Sequence, residues 1–407
     1  MINLLAIKNL ASVLLSLTLF AAEPTGSVKA QLRETSTPRS NGKIAFTSDR
    51  DGNPEIYLMN PDGTSPTRLT TNLGRDDYPT WSPDGATIAF IREENGNSRS
   101  IWLMNQDGTY QRQIVGGLTS FGQIGPFERF GMSWAPDSTK LAFQNGSDIF
   151  VIDTLGNGLV NITNGQFINF EPSWSPDGSR IAFGRSIYSH GHYPDIYIMA
   201  LQGGAVTQIT QSLPYSESTS PDWSPDGSRL TLLSGADSMD NSSLATVNLP
   251  AGTPYFPLIY NDFGFYIGTP RWSPDGTKII FTAKGQSNGL SQIWGLDYET
   301  QARTQLTSGF LSNYHPDWQP VAPPLVSVSG RVLTPEGMPI RNVTVSLTPP
   351  SGVRVTSTTS SFGLFRFDEV APGETYTINV NSKRYRFATR SVLVQNDVTL
   401  ADLIGLE

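Results

Sequence analysis

Short apolar runs recur along the first 320 residues, and each is fenced by polar turn residues. Ile44-Ala45-Phe46, Ile88-Ala89-Phe90, Leu141-Ala142-Phe143, Ile181-Ala182-Phe183, Leu230-Thr231-Leu232 and Ile279-Ile280-Phe281 are the most regular of them. In five of the six the run closes a ten-residue string, as in "WSPDGSRIAF" from Trp174. Tryptophan opens a short strand. "SPDG" then turns the chain: Pro pre-sets φ, Asp closes the turn with its side chain, and Gly takes the strained position. The apolar run is the next strand. A third strand follows a variable loop ("IYLMN" at Ile56, "IWLMN" at Ile101, "IYIMA" at Ile196). A fourth often ends in Leu-Thr or Ile-Thr, at Thr70, Thr163, Thr210 and Thr307. Strands apolar on both faces predict sheets buried on both faces.

The repeat has the length of a propeller blade. Tryptophans stand at 81, 134, 174, 223, 272 and 318, so the steps are 53, 40, 49, 49 and 46 residues. Periods of roughly 40–50 residues belong to blades of four strands. The phase of the repeat also predicts how the ring closes. The chain enters at "GKIAF" (Gly42 to Phe46) with no tryptophan strand before it. It leaves at "NYHPDWQP" with no second strand after Trp318. The two fragments complement each other, so the strand of Trp318 is expected to complete the first blade and remove the exposed edge. Six second strands then mean six blades. The tryptophans are expected to be core, and Asp84, Asp137, Asp177, Asp226 and Asp275 to form turns and not to bind metal.

The string "PxWSPDGxxIAF…IYxM…DG…LT" over about residues 42–320 resembles the TolB-type six-bladed β-propeller. It is also similar to the propeller of prolyl-oligopeptidase and dipeptidyl-peptidase enzymes. The TolB resemblance implies a scaffold that binds envelope proteins or peptides at its mouth, where a peptidoglycan-associated lipoprotein is the family's partner.

Past a Pro-rich linker (Gln319 to Leu325, the boundary itself set at 321–325) the pattern changes to alternating apolar and polar positions. "VSVSGRVL", "NVTVSLT", "VRVTSTT", "LFRFDEV", "YTINVN" and "RSVLVQN" read as short strands, with turns such as Pro335-Glu336-Gly337 between them. An antiparallel β-sandwich over 326–407 is expected. Its sequence resembles the carboxypeptidase regulatory-like, transthyretin-like family, which implies an accessory module without catalytic residues. The fold class is therefore all-β: a six-bladed propeller over 41–320 with a C-terminal β-sandwich.

Composition and charge narrow the chemistry. The 407 residues contain no cysteine, which excludes thiolate catalysis, Cys-ligated zinc and disulfides. Net charge is −8, concentrated between positions 41 and 320, where 16 basic face 27 acidic residues. That excess argues against a nucleic-acid partner. Residues 1–30 read as a signal peptide and leader: one lysine, an apolar run over "NLASVLLSLTLFAA", and a cleavage point after Ala22 or Ala30. The expected location is periplasmic or secreted, and the cleaved chain is not expected to span a membrane.

A serine hydrolase would need a G-x-S-x-G elbow, and none occurs. The roughly 200-residue hydrolase domain that follows the propeller in the peptidases is replaced by the tail sandwich. His190 and His192 could pinch a metal with Asp195 on one strand face, but a polar insertion loop in the third full repeat is the better account of them. No metal site and no cofactor are expected. Binding is the better reading, because the first strand of each blade lines the central channel. Three positions before tryptophan stand Tyr78, Gly131, Glu171, Ser220, Thr269 and His315. Five before it stand Asp76, Arg129, Asn169, Ser218, Ile267 and Asn313. Of these, Asp76, Tyr78, Arg129, Asn169, Glu171, Ser220, Thr269, Asn313 and His315 are the expected ligand-binding residues of a channel mouth. The aromatic loops 119–131 and 260–268 offer a second surface. The chain is thus read as a non-enzymatic monomer that binds a protein or peptide of the cell envelope. A polysaccharide lyase or glycosidase using the channel, and a structural adhesion module, are the alternatives.

Overall fold

The computed structural model describes residues 39–94, 98–119, 130–187, 194–211, 216–236, 243–250, 256–259, 266–284, 289–350 and 352–406. They form strands and turns, with no helix among them. No helix among the described residues is long and apolar enough to cross a membrane.

Six four-stranded antiparallel sheets make up residues 40–321. Five are built from consecutive strands, beginning at Arg75–Trp81, Met132–Trp134, Ile168–Trp174, Ser216–Trp223 and Tyr266–Trp272. In the sixth, Asn313–Val321 is the innermost strand and pairs with Ser40–Ser48, 281 residues away at Ser40↔Val321. The predicted closure is therefore present. Each innermost strand touches the next, and the last touches the first, so the blades form a ring. The strand of Trp318 continues through Val321, which leaves only 322–325 as a connection before the next strand at Val326.

The blades hold together because their second and third strands bury both faces. Phe46, Phe90, Phe143, Phe183 and Phe281 are all essentially inaccessible. Burying each is worth about 2–3 kcal/mol. The "SPDG" aspartates do form turns: Asp177 Oδ1 accepts from Ser175 Oγ at 2.6 Å and from Ser179 N at 3.0 Å, and Gly178 adopts φ 70°. A threonine two residues past the fourth strand locks each of four blades. Thr70, Thr163, Thr210 and Thr307 accept the amide of Ile56, Ile149, Ile196 and Ile293 at 2.9–3.0 Å. Each also donates to a neighbouring side chain: Glu55, Asp148, Asp195 or Gln292.

The tail is a sandwich of two sheets whose facing side chains make one apolar cluster, including Val328, Val332, Val345, Leu347, Phe367 and Ile378. It departs from the antiparallel expectation in one respect. Val326–Leu333 also pairs in parallel with two short strands, Val398–Thr399 and Leu403–Ile404.

Candidate functional site

The strand that carries each tryptophan is irregular at a fixed place. In five blades two of its residues oppose one on the next strand: Tyr78-Pro79, Glu171-Pro172, Ser220-Pro221, Thr269-Pro270 and His315-Pro316. This is a β-bulge, and proline suits it because a bulged position needs no ladder N–H. The residue before each proline is left-handed, with φ between 45° and 53°. Five non-glycine residues in that region, repeated around one ring, store backbone strain of about 1 kcal/mol each. The sixth blade places Gly131 there; a Cβ on it would lie 2.5 Å from Glu171 Cα, so close approach between blades demands glycine.

The bulge decides which side chains reach the hub. It adds one residue and so offsets the in–out alternation. The residues five before tryptophan turn into the walls and not into the channel. Asp76 and Asn169 are 0% exposed and Asn313 is 2% exposed. Asp76 takes a bidentate pair from Arg92 at 2.8 Å, and Asn169 accepts from Arg185 Nε at 2.8 Å. Asn313 accepts from Arg50 at 2.8 Å. These three expected ligand residues are structural anchors in this fold. Arg129 lies outside the described residues, as do His190, His192 and most of both aromatic loops. Asp195, the third expected partner of those histidines, accepts from Thr210 and Gln208. No cluster of three metal-ligating side chains occurs among the described residues.

The residues three before tryptophan do meet in the hub. Tyr78 stacks on His315 with ring centroids 3.8 Å apart. His315 Nδ1 lies 2.7 Å from Asp77 Oδ1. Thr47 and Arg75 also bond Asp77. Burial alone would raise Asp77, but His315 and Arg75 outweigh it and hold its carboxyl far below the usual range. Across the hub, Glu171 Oε2 accepts from Ser220 N at 2.8 Å and Ser220 Oγ at 3.0 Å. Thr269 Oγ1 meets Thr282 Oγ1 at 3.2 Å. The voids against Tyr78 and against Glu171 are about 10 Å³ each.

One layer further along, at the tryptophan end of the strands, the hub opens into a cavity of about 260 Å³. Its wall is the ring of residues just before each tryptophan: Thr80, Ser133, Ser173, Asp222, Arg271 and Asp317. All six tryptophans and one proline from each following turn, Pro83 through Pro320, surround it. Five of the tryptophans are nearly buried, as expected of core, and Trp174 is half-buried, yet all six also line this cavity. The wall ring was not foreseen. Its signal was available: the position before a constant Trp is polar in every repeat and differs among them.

That ring also ties blade to blade. Asp317 Oδ2 accepts the amide of Trp81 at 2.6 Å, Ser133 Oγ that of Trp174 at 2.9 Å, and Asp222 Oδ2 that of Trp272 at 2.8 Å. Burial pushes the Asp222 carboxyl up to about 7, although Arg271 pulls the other way. Asp317 is raised by the same cause.

Two domain families match the sequence. A TolB β-propeller domain matches residues 119–253 and a carboxypeptidase regulatory-like domain matches 327–403. The chain carries a TolB-type propeller and a carboxypeptidase regulatory-like domain. A TolB homolog of Chlorobium luteolum is 42% identical over 65 residues, 16% of this chain and 15% of the relative. The Tol-Pal system protein TolB of Desulfosudis oleivorans is 30% identical over 125 residues, 30% of this chain and 26% of the relative. These matches thus span about a quarter or less of the relatives' length. Among solved structures, TolB from Acinetobacter baumannii superposes with a TM-score of 0.57 at 20% identity, covering 69% of this chain and 67% of that one. At that identity the likeness speaks to fold alone. The matched propeller segment takes in the middle of the ring, including Ser133 and Asp222 of the cavity wall.

Proposed function

We propose that the TolB-type propeller is a non-enzymatic binding scaffold that receives a segment of a protein or peptide in the cavity at its tryptophan end. One observation carries this reading: the hub is open where six blades' tryptophans and prolines wall a cavity of about 260 Å³. A concave site that sets indole and proline faces beside convergent polar side chains suits a ligand. The level that holds His315, Glu171 and Asp77 resembles catalytic machinery in composition. Yet the two voids described there, against Tyr78 and against Glu171, are about 10 Å³ each, smaller than a sugar ring. The signal-peptide pattern of residues 1–30 supports export, and hence a partner in the cell envelope or outside the cell.

Site-specific photo-crosslinking tests this. A photoreactive residue at Pro225, on the cavity rim, should trap a partner from envelope extract, whereas one at Thr207, on an outer strand, should not. Turnover on a glycan panel that His315→Ala and Glu171→Ala both abolish, with folding intact, would replace this reading with the enzyme.

A further inference from the structure

The cavity wall is not uniform. Following blade order, half of it carries hydroxyls (Thr80, Ser133, Ser173) and half carries charge (Asp222, Arg271, Asp317). Arg271 stands between the two aspartates in that order. It is the one cation between two carboxylates, and it serves neither closely. Its Nε is 3.9 Å from Asp317 Oδ1, and one of its terminal nitrogens donates to the carbonyl of Pro270 at 3.0 Å. The arc therefore sets two carboxyls beside one guanidinium in a desolvated wall.

The same arc leaves donors unmet. The indole N–H of Trp134 reaches the carbonyl of Thr80, that of Trp223 the carbonyl of Ser173, and that of Trp174 its own turn at Gly178, each at 3.1 Å. The indoles of Trp272, Trp318 and Trp81 are buried and find no protein acceptor. These three follow Asp222, Arg271 and Asp317 around the ring. A buried donor left unpaired costs about 1–3 kcal/mol.

We infer that this arc receives a basic residue of a peptide, with the lysine or arginine head group between Asp222 and Asp317. The inference rests on the binding-scaffold reading and names its ligand chemistry. Each aspartate accepts a tryptophan amide at Oδ2 and also a hydroxyl hydrogen bond, Asp222 from Ser173 and Asp317 from Thr80, so the incoming cation would share carboxylates already held in place. The proline rim and indole walls suit the aliphatic stem of a long cationic side chain, and indole faces favour cations. Burial raises the Asp222 carboxyl even with Arg271 nearby, and a second cation beside it would favour its charged form. The remaining charged group on the cavity is Arg39, whose electrostatic partner is Asp84 on a turn.

Fluorescence anisotropy with the full chain and labelled pentapeptides tests the assignment. The probes are a central lysine, arginine, glutamate or leucine flanked by alanines. Lysine and arginine probes should bind at least 10-fold tighter than the other two. Asp222→Asn combined with Asp317→Asn keeps an acceptor for each tryptophan amide and should erase that preference. Arg271→Gln removes the internal cation and should tighten the lysine probe, so a folding defect in the double variant does not shield the idea. Tightest binding by the glutamate or leucine probe overturns the charge assignment and leaves the scaffold reading standing. Calcium chloride that binds through Asp222 and Asp317 while the lysine probe does not also overturns it. Where no probe binds, the crosslink at Pro225 decides. A partner peptide joined beside a basic residue supports the inference, one joined elsewhere overturns it, and no crosslink at all overturns the scaffold reading with it.

Discussion

The propeller hub and the tail sandwich bury very different things. The sandwich interior is a single apolar cluster, and its buried polar residues are the hydroxyl carriers Ser327, Ser346 and Thr359. Its ion pairs, Arg331–Asp402 and Arg366–Asp368, lie at the surface. The propeller buries Glu55, Asp76, Asp77 and Arg92, repeats a left-handed bulge around its axis, and keeps a cavity at one end. A sandwich closes its core by pressing two sheets together. A six-bladed ring cannot close its own axis, so polar side chains must fill or line it. The difference teaches that the propeller's polar interior is imposed by geometry at the deep level and available for recognition at the open one.

Perturbations should separate the two interiors in graded steps. The largest effect is expected for Asp77→Ala, which strands Arg75, His315 and Thr47. Removing one partner of a buried pair costs about 3–5 kcal/mol, read as a lower denaturation midpoint; a loss below about 1 kcal/mol would mean the hub network is not structural. Next is Gly131→Ala, whose Cβ would meet Glu171 backbone at 2.5 Å. Overpacking there should cost about 1–3 kcal/mol and lower the melting temperature.

A third effect is one of pH. Asp222 holds its proton up to about 7 in the fold but only to about 4 when unfolded, so the native state binds more protons in between. Its stabilising contribution is full below about pH 4 and is lost as pH rises through about 7. Asp77 acts with the opposite sign, its contribution being lost in acid. The unfolding free energy should fall by about 2–3 kcal/mol between pH 5 and 8 on this account, read as a falling denaturation midpoint, and Asp222→Asn should flatten that limb. An unchanged slope in the variant would show that Asp222 is not the titrating group. The smallest effect is expected in the sandwich: Arg366→Ala breaks only a surface pair and should leave its melting temperature unchanged.

Most of the architecture was legible in the chain. Period, turn chemistry and the phase mismatch between Gly42 and Trp318 sufficed for six blades and for their closure, because each is a local signal repeated many times. The site was half legible. Polar variety three positions before tryptophan did mark the hub, at Tyr78, Glu171, Ser220, Thr269 and His315. Extending the same reading to Asp76, Asn169 and Asn313 assumed unbroken strand alternation. The proline in "YPTW", "EPSW", "SPDW", "TPRW" and "HPDW" was the cue that a bulge interrupts it. In the sandwich, the short strands at Val398 and Leu403 carry too few residues to show a period.

The sequence alone determined the number of sheets, their order and the partner of the last strand, since repeated turns and apolar runs act locally and add up. Only the tertiary structure decided where the hub is open, which polar residues face it, and that Asp222, Arg271 and Asp317 stand side by side. Those facts depend on a one-residue bulge and on the packing of six sheets around an axis, and neither is written in the spacing of residues within a single repeat.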